Sequence, residues 1–406
     1  MIEKTQKLLI IGHVWPQPNA SAAGEHMIHL IRLFTDLGFQ IYFTSAAQQP
    51  EGYKDLDGFK IICASTEINS DVFDDYLNSI KPDVVLFDRF MVEEQFSWRV
   101  KKECPNALRI LDTEDIHFLR KERQASLKGK HKNELSDTAK REVASIYRSD
   151  ISLIISQEEI NLLTESYNIP KSLLFYLPLL SEEVHIERTP NFEDRSDVIF
   201  VGNFLHEPNW QAVQVLKQKI WPLVRAKNKE INLHIYGAYA SDKHKQLNNV
   251  KERFFVHGYV EDLEKVLRES KILIAPLFFG AGQKGKLLKA MQCGTPTVTT
   301  SIGAEAMQFE KEWPGLIEDN YEDLASALLK LYDDKELWEN KQMNITDLVN
   351  EHFQYTYFLK TLKQEVPDWL LNLNKNRMSN ITGEILWHHS MRSTEFMSRW
   401  IMEKNK

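Results

Sequence analysis

Apolar residues in this chain gather in short runs separated by longer stretches with helical spacing. Lys7–Gly12, Gln40–Ser45, Phe59–Ala64, Asp83–Asp88, Arg109–Asp112, Ile151–Ser156 and Leu173–Leu177 read as strands. Most are near-continuous apolar runs without polar alternation, the pattern of strands buried on both faces of a parallel sheet. Between them lie helical patterns. One runs from the loop at Gly24 to about Leu37, with Met27, Leu30, Ile31 and Phe34 on one face; others are Val72–Ile80, Val92–Glu103 and Gln157–Tyr167. The segment Glu187–Asp197, ERTPNFEDRSD, is polar, irregular and proline-bearing, as a linker is. The alternation then restarts. Strands are expected at Asp197–Val201, Leu233–Tyr236, Phe254–Val256, Ile272–Ala275 and Thr297–Thr300, with helices at Trp210–Val224, Glu261–Ser270 and Lys286–Gln292.

Two βα arrays in tandem predict an α/β chain of two Rossmann-like domains, 1–190 and 191–375, followed by a helical tail, 376–406. A chain of 406 residues is too long for one ordinary core, which agrees. Trp369, Trp387 and Trp400 argue that the end of the chain is packed.

Composition narrows the partners. The net charge of −8 argues against a nucleic-acid surface. Cys63, Cys104 and Cys293 are widely spaced and read as reduced core thiols of a cytoplasmic protein, not as a zinc site. The first apolar run, Leu8–Ile11, is too short for a signal peptide or a membrane span. Asp55-Leu56-Asp57 has the letters of a metal-binding DxD, but Gly52 and Gly58 around it indicate a surface turn.

Candidate chemistry concentrates in two loops at strand ends. After Ile272–Pro276 comes FFGAGQKGKLLKAM, in which Gly280, Gly282 and Gly285 lie beside Lys284 and Lys286 and lead into a helix. Glycines let backbone amides approach an anion, and a helix N-terminus favours negative charge. A diphosphate suits this loop. The second loop, Asp112-Thr113-Glu114-Asp115-Ile116-His117-Phe118-Leu119-Arg120, crowds carboxylates, an imidazole and a guanidinium into nine residues. Such a group is costly to bury without a ligand or mutual pairing. An Asp115–Arg120 pair with His117 at a helix start is the structural alternative. The charged stretch from Leu119 to Arg148 reads as two helices about a turn near Gly129.

The residues from Gly280 to Lys286, with Ala290-Met291, Gly294 and Gly303-Ala304-Glu305, resemble the donor-site segment of family 4 (group 1) retaining glycosyltransferases. Val201-Gly202-Asn203, Glu207-Pro208-Asn209 and Gly258-Tyr259-Val260 extend the resemblance upstream. It implies the GT-B fold, two Rossmann-like domains facing a cleft, with the tail returning to the first domain. It also implies a metal-independent enzyme without a cofactor, moving a sugar from a nucleotide-diphosphate donor to a glycan, lipid-linked or other acceptor. Lipid-linked acceptors leave room for peripheral contact with a membrane.

By position, His117 inherits a contact to the donor sugar near its reacting carbon, with Asp115 beside it. Gly24 matches a glycine that borders the pyrophosphate; a helix start capped by Ser21 is the competing reading. Two departures stand out. Ala281 and Lys289 occupy the places of a glutamate pair, the second of which takes the ribose hydroxyls in the family, and lysine is a donor only. Asn203 stands where relatives have a basic residue. The resemblance therefore points to donor binding by Gly24, Asn203, Gly280, Gly282, Lys284, Gly285, Lys286 and Lys289. The alternative is a degenerate GT-B protein that binds a glycan, nucleotide or partner transferase without turnover.

Overall fold

A computed structural model describes residues 5–130 and 135–404. The first domain is built on strands β1 (Lys7–Gly12), β2 (Gln40–Ser45), β3 (Ile61–Ser65), β4 (Val84–Asp88), β5 (Leu108–Asp112), β6 (Ile151–Ile154) and β7 (Leu174–Tyr176). Its helices are α1 (Ala22–Asp36), α2 (Val72–Ile80), α3 (Phe90–Glu103), α4 (His117–Leu127), α5 (Asp137–Arg148) and α6 (Gln157–Glu165). All strands pair in parallel, in the order β3-β2-β1-β4-β5-β6-β7. On β1, Leu8 and Ile10 enter the apolar cluster on one face while Leu9 and Ile11 enter the cluster on the other. That is the two-residue strand period at work, and it explains why the run carries no polar alternation.

The second domain repeats the plan with β8 (Ser196–Val201), α7 (Glu207–Val215), α8 (Trp221–Lys227), β9 (Leu233–Tyr236), α9 (Asp242–Lys245), β10 (Phe254–Gly258), α10 (Leu263–Glu269) and β11 (Ser270–Ala275). It continues through α11 (Gly285–Gln292), β12 (Thr297–Thr299), α12 (Ser301–Ala304), β13 (Gly315–Ile317), α13 (Tyr321–Asp333) and α14 (Lys335–His352). The order is β10-β9-β8-β11-β12-β13, again parallel. In each sheet the strand order reverses once, between β1 and β4 and between β8 and β11. Crevices outside the carboxyl ends at such reversals are where open α/β sheets bind ligands. The single helix expected at Trp210–Val224 is interrupted by a π turn at Leu216–Ile220, ahead of Pro222, which lacks the N–H that a continuous helix requires.

Two expectations are corrected. Cys63 is exposed on edge strand β3 and is not a core thiol; Cys104 and Cys293 are buried. The return to the first domain begins well before residue 376. Ser181 donates to Phe353 O at 2.7 Å and accepts from Tyr355 N at 2.9 Å, so the chain crosses back there. In α15 (Tyr355–Leu371), Tyr355, Phe358, Leu362, Val366 and Trp369 join the core of the first sheet. Helical periodicity alone assigned this stretch to the second domain, because an amphipathic face does not name the sheet it covers.

Short α16 (Leu373–Ser379) and long α17 (Ile381–Lys404) complete the tail. Gly383 is required where α17 crosses α5, since a Cβ there would lie 2.2 Å from Tyr147 O. Trp387 is buried and donates to Arg148 O at 3.1 Å, whereas Trp400 stays exposed. The polar anchor is Asp150, which receives Arg377 Nε at 2.8 Å and Arg109 Nη2 at 3.1 Å. Burial pushes the Asp150 carboxyl up, but Arg109 and Arg377 outweigh it and hold it below the ordinary range. Among the described residues, no helix is long and apolar enough to cross a membrane.

Removing the buried carboxylate strands two guanidinium groups, so Asp150→Asn is expected to destabilise the protein by about 3–5 kcal/mol in urea unfolding at neutral pH. A depressed carboxyl contributes stability above its unfolded pKa and loses it as pH falls through the folded value. The gap between wild type and variant should therefore narrow in acid. An unchanged urea midpoint would show that the tail is anchored elsewhere.

Candidate active site

The two reversal points face each other across a cavity of about 390 Å³. Asp115, His117, Asn203, Gly280, Lys284, Gly285, Lys286 and Lys289 all line it. Gly24 and Gly282 do not, and in both the backbone explains why. Gly24 sits in the first turn of α1, where its N–H donates to Ser21 Oγ at 3.0 Å; a Cβ would fall 2.4 Å from Gln17 O. It is a packing glycine beside a capped helix start, bordering a smaller neighbouring cavity and not the main cleft. Gly282, at φ +59°, would put a Cβ 2.7 Å from Ile155 Cδ1 and 3.0 Å from Asp115 Cβ. Its role is to let the first domain close onto the loop. Gly285 shares that role, since a Cβ there would meet Ala22 Cβ at 2.5 Å.

The lysines differ in what they hold. Lys284 Nζ donates to Ala281 O at 3.1 Å and also to Gly282 O, so it braces the loop from within. Burial lowers its pKa, with Glu305, Glu159 and Asp115 opposing. Lys286 Nζ donates to Asn209 Oδ1, and Asn209 Nδ2 in turn donates to Asn203 O at 2.9 Å. Burial, and then the charge of Lys284, push Lys286 down to about 7. No carboxylate pairs with it among the described residues. Its helix, α11, has no side-chain cap at Lys284, so the first-turn amides have no cap acceptor. A lysine without a carboxylate partner at a helix start without a side-chain cap is an arrangement that favours an anion.

Lys289 does not resemble Lys286. Its Nζ bonds Glu264 Oε1 at 2.8 Å and Glu25 Oε1 at 3.2 Å, linking α11 to α10 and, across the cleft, to α1. Burial alone would lower its pKa, but the two carboxylates raise it.

On the opposite wall, the structural alternative for the Asp112–Arg120 loop is present and does not remove the loop from the cleft. The Asp115–Arg120 pair forms and His117 starts α4, yet both Asp115 and His117 line the cleft. Burial pushes Asp115 up, while Arg120, His117 and His206 outweigh it and keep it ionised. His117 Nδ1 lies 3.0 Å from Asp115 O. A carbonyl can only accept, so Nδ1 carries a proton in this contact and Nε2 is the ring nitrogen left for a ligand. Glu142 of α5 accepts from His117 N and Phe118 N, both at 3.0 Å, which holds the start of α4 in place.

Several residues of the site escaped the motifs. His206 lines the cleft and is lowered to about 4, chiefly by burial and then by Arg120 and Lys286. Arg123 spans the domains, donating to Gly280 O at 2.8 Å and to Glu305 Oε1 at 2.7 Å. Asp88, Asp112 and Glu114 bring carboxylate oxygens within 4.8 Å of one another. Cations stand beside them inside the protein, while Asp88 Oδ1, Asp112 Oδ2 and Glu114 Oε1 form no hydrogen bond among the described residues. His26 Nε2 lies 3.3 Å from Asp112 Oδ1, and the Arg89 guanidinium lies 3.5 Å from Asp88 and 3.8 Å from Glu114. Burial pushes Glu114 up to about 7 and would lower His26, which Asp112 instead raises to about 9. The cluster is an internal ion network. Strand-end polar residues such as Asp88 and Arg89 carried a sequence signal, but their convergence depends on the order of β4 and β5 in the sheet.

Residues 195–334 match the family model described as glycosyl transferases group 1. A search of curated proteins by sequence finds no match. Among solved structures, sucrose-phosphate synthase from Thermosynechococcus elongatus superposes with a TM-score of 0.70 at 14% identity, over 90% of this chain and 99% of that one. A glycosyltransferase from Rickettsia africae gives 0.64 at 14% identity, over 91% and 99%. HepE from Anabaena, solved in complex with UDP, gives 0.66 at 11% identity, over 89% and 100%. The second domain thus matches a group 1 glycosyltransferase domain, and the two-domain architecture is the GT-B fold.

A lysine whose pKa falls from an ordinary value of about 10.4 to about 7 leaves the unfolded chain binding the extra proton between those values. Stability should therefore rise with pH across that window. Lys286→Met is expected to melt a few degrees above wild type at pH 7, with the difference vanishing by about pH 10. Equal melting temperatures at pH 7 would show that Lys286 is not strained by burial.

Proposed function

We propose that the cleft binds a nucleoside diphosphate sugar and transfers the sugar, with retention of configuration and without a metal ion, to a hydroxyl of a glycan or lipid-linked acceptor. This is the reaction of the family 4 transferases that the donor loop resembles. The observation that carries it is Lys286: a cation without a carboxylate, at an uncapped helix start, facing the opposite domain. Leaving-group charge would be met by Lys286, Lys284 and the first amides of α11, donors already in position before any bond breaks. His117 Nε2 would accept from a donor-sugar hydroxyl and fix the ring against the reacting carbon, with Asp115 and Arg120 fixing His117. Binding partners of the structural neighbours support the same reading, since HepE was solved with UDP-glucose and TarM with UDP together with a glycan. The site of action is taken to be the cytoplasm, with peripheral membrane contact where the acceptor is lipid-linked. No observation favours a binding protein without turnover.

Calorimetric titration with UDP tests the donor site. Replacing both Lys284 and Lys286 by Ala is expected to weaken binding by about tenfold or more, consistent with two lost charge-assisted hydrogen bonds. Because a bound diphosphate restores Lys286 toward its ordinary pKa, UDP binding at pH 8 should take up a proton. The apparent enthalpy would then vary with the ionisation enthalpy of the buffer, and Lys286→Met should abolish that variation. Unchanged affinity in the double variant would remove this loop from the donor site.

His117→Ala is expected to reduce turnover of a nucleotide sugar far more than UDP affinity, because its proposed contact is to the sugar. Parallel losses of melting temperature and activity would instead make His117 a structural residue.

A further inference from the structure

The cleft has an internal order that places the nucleoside. The anion site lies at the start of α11, around Gly285 and Lys286. Lys289 is three residues beyond Lys286 on that helix, about 4.5 Å by helical rise. It is bonded to Glu264, next to Leu263, and Leu263 lines the cleft together with Tyr259 and Val260. That end of the wall, apolar and aromatic, suits the face of a base. A ribose joining diphosphate to base must therefore pass Lys289.

Ribose hydroxyls need acceptors, and an ammonium group has none to offer. Three carboxylates line the cleft: Glu114, Asp115 and Glu25. The first two stand at the His117 end. Glu25, in the first turn of α1, stands at the Lys289 end. The hydrogen bond to Lys289 engages its Oε1, and no bond to its second oxygen is formed among the described residues. Glu264, on the far side of the same lysine, supplies a second negative charge. Two carboxylates around one ammonium leave the triad with net negative charge, the arrangement that hydroxyl donors favour.

We propose that Glu25 reads the ribose of the bound nucleotide, held in register by the Glu25–Lys289–Glu264 triad. The acceptor for the ribose hydroxyls thus comes from the first domain and not from α11. This rests on the donor-site reading above and deepens it. It also gives the charge reversal at Lys289 a physical role. The lysine does not touch the ribose; it positions a carboxylate that does. Because Glu25 belongs to one domain and Lys289 and Glu264 to the other, only a closed cleft presents the complete ribose contact.

The test is calorimetric titration of the full chain with UDP and with 2′-deoxy-UDP, which lacks one donor hydroxyl. Wild type is expected to bind UDP at least about tenfold more tightly than 2′-deoxy-UDP, the scale of a hydrogen bond to a charged group. In Glu25→Gln and Glu25→Ala the preference should collapse to about twofold or less while 2′-deoxy-UDP affinity stays near wild type. Glu264→Gln, which loosens Lys289, should reduce the preference partway. A preference that survives in Glu25→Ala, or equal losses for both nucleotides, would overturn the assignment. Wild type binding both nucleotides equally well would overturn it too, while leaving the diphosphate site intact. Wild type binding neither would instead remove the donor-site reading, and this inference with it.

Discussion

The closeness of the glycine loop to the opposite domain is the constraint on which the site depends. Gly282 lies against Asp115 and Ile155, and Gly285 against Ala22, at separations that no side chain on those glycines would permit. That contact narrows the cleft and partly buries Lys284 and Lys286. Narrowing has an electrostatic consequence. Away from water, two ammonium groups two residues apart disfavour each other's charge, and burial lowers both lysines. A bound anion would relieve both costs at once. The site is thus preorganised by packing, through glycines whose value is the space they leave.

The opposite wall is built with a different economy. Glu142, Glu159 and Asp115 are spent on backbone amides and on Arg120, locking the start of α4 and the His117 ring. Behind them the Asp88, Asp112 and Glu114 carboxylates are balanced by Arg89 and His26. Buried ion networks of this kind contribute little net stability, yet removing one member leaves an uncompensated charge. Their service is to hold geometry, and Arg89 and Glu114 do so with backbones in the left-handed region, at φ 73° and 58°. Strain of that sort persists where surrounding structure enforces it.

Several bonds cross the cleft: Arg123 to Glu305, Lys289 to Glu25, Tyr239 to Gln17 and Gln283 to Leu179 N. The tail adds a covalent tie, since α14 belongs to the second domain and α15 to the core of the first. The domains are therefore joined at both crossings of the chain, near Ser181 and Phe353, with polar contacts distributed between. Such an arrangement suits hinge motion about the crossings, with the cleft contacts making and breaking together.

The sequence by itself determined the two βα arrays, because a strand buried on both faces must be apolar throughout and a covering helix must repeat at 3.6 residues. It also determined the two strand-end loops, since glycines beside lysines and clustered carboxylates are compositional facts. Lys284, Lys286, Asp115 and His117 stand out this way, Asn203 only through the resemblance, and all five line one cavity. What only the tertiary structure decided was which partner each group meets. Gly24 and Gly282 were assigned to a phosphate and turn out to admit protein neighbours, because a glycine records a close approach without naming what approaches. Lys289 looked like a missing acceptor, and its two carboxylates come from α1 and α10, 264 and 25 residues away in the chain. Arg123 and Glu305 are 182 residues apart and carry no motif. The first-domain core likewise recruits Tyr355 to Leu373 from beyond the second domain. Local pattern encodes the elements and their chemistry; pairing across a cleft is set by how two sheets are brought together, and no short window of sequence contains it.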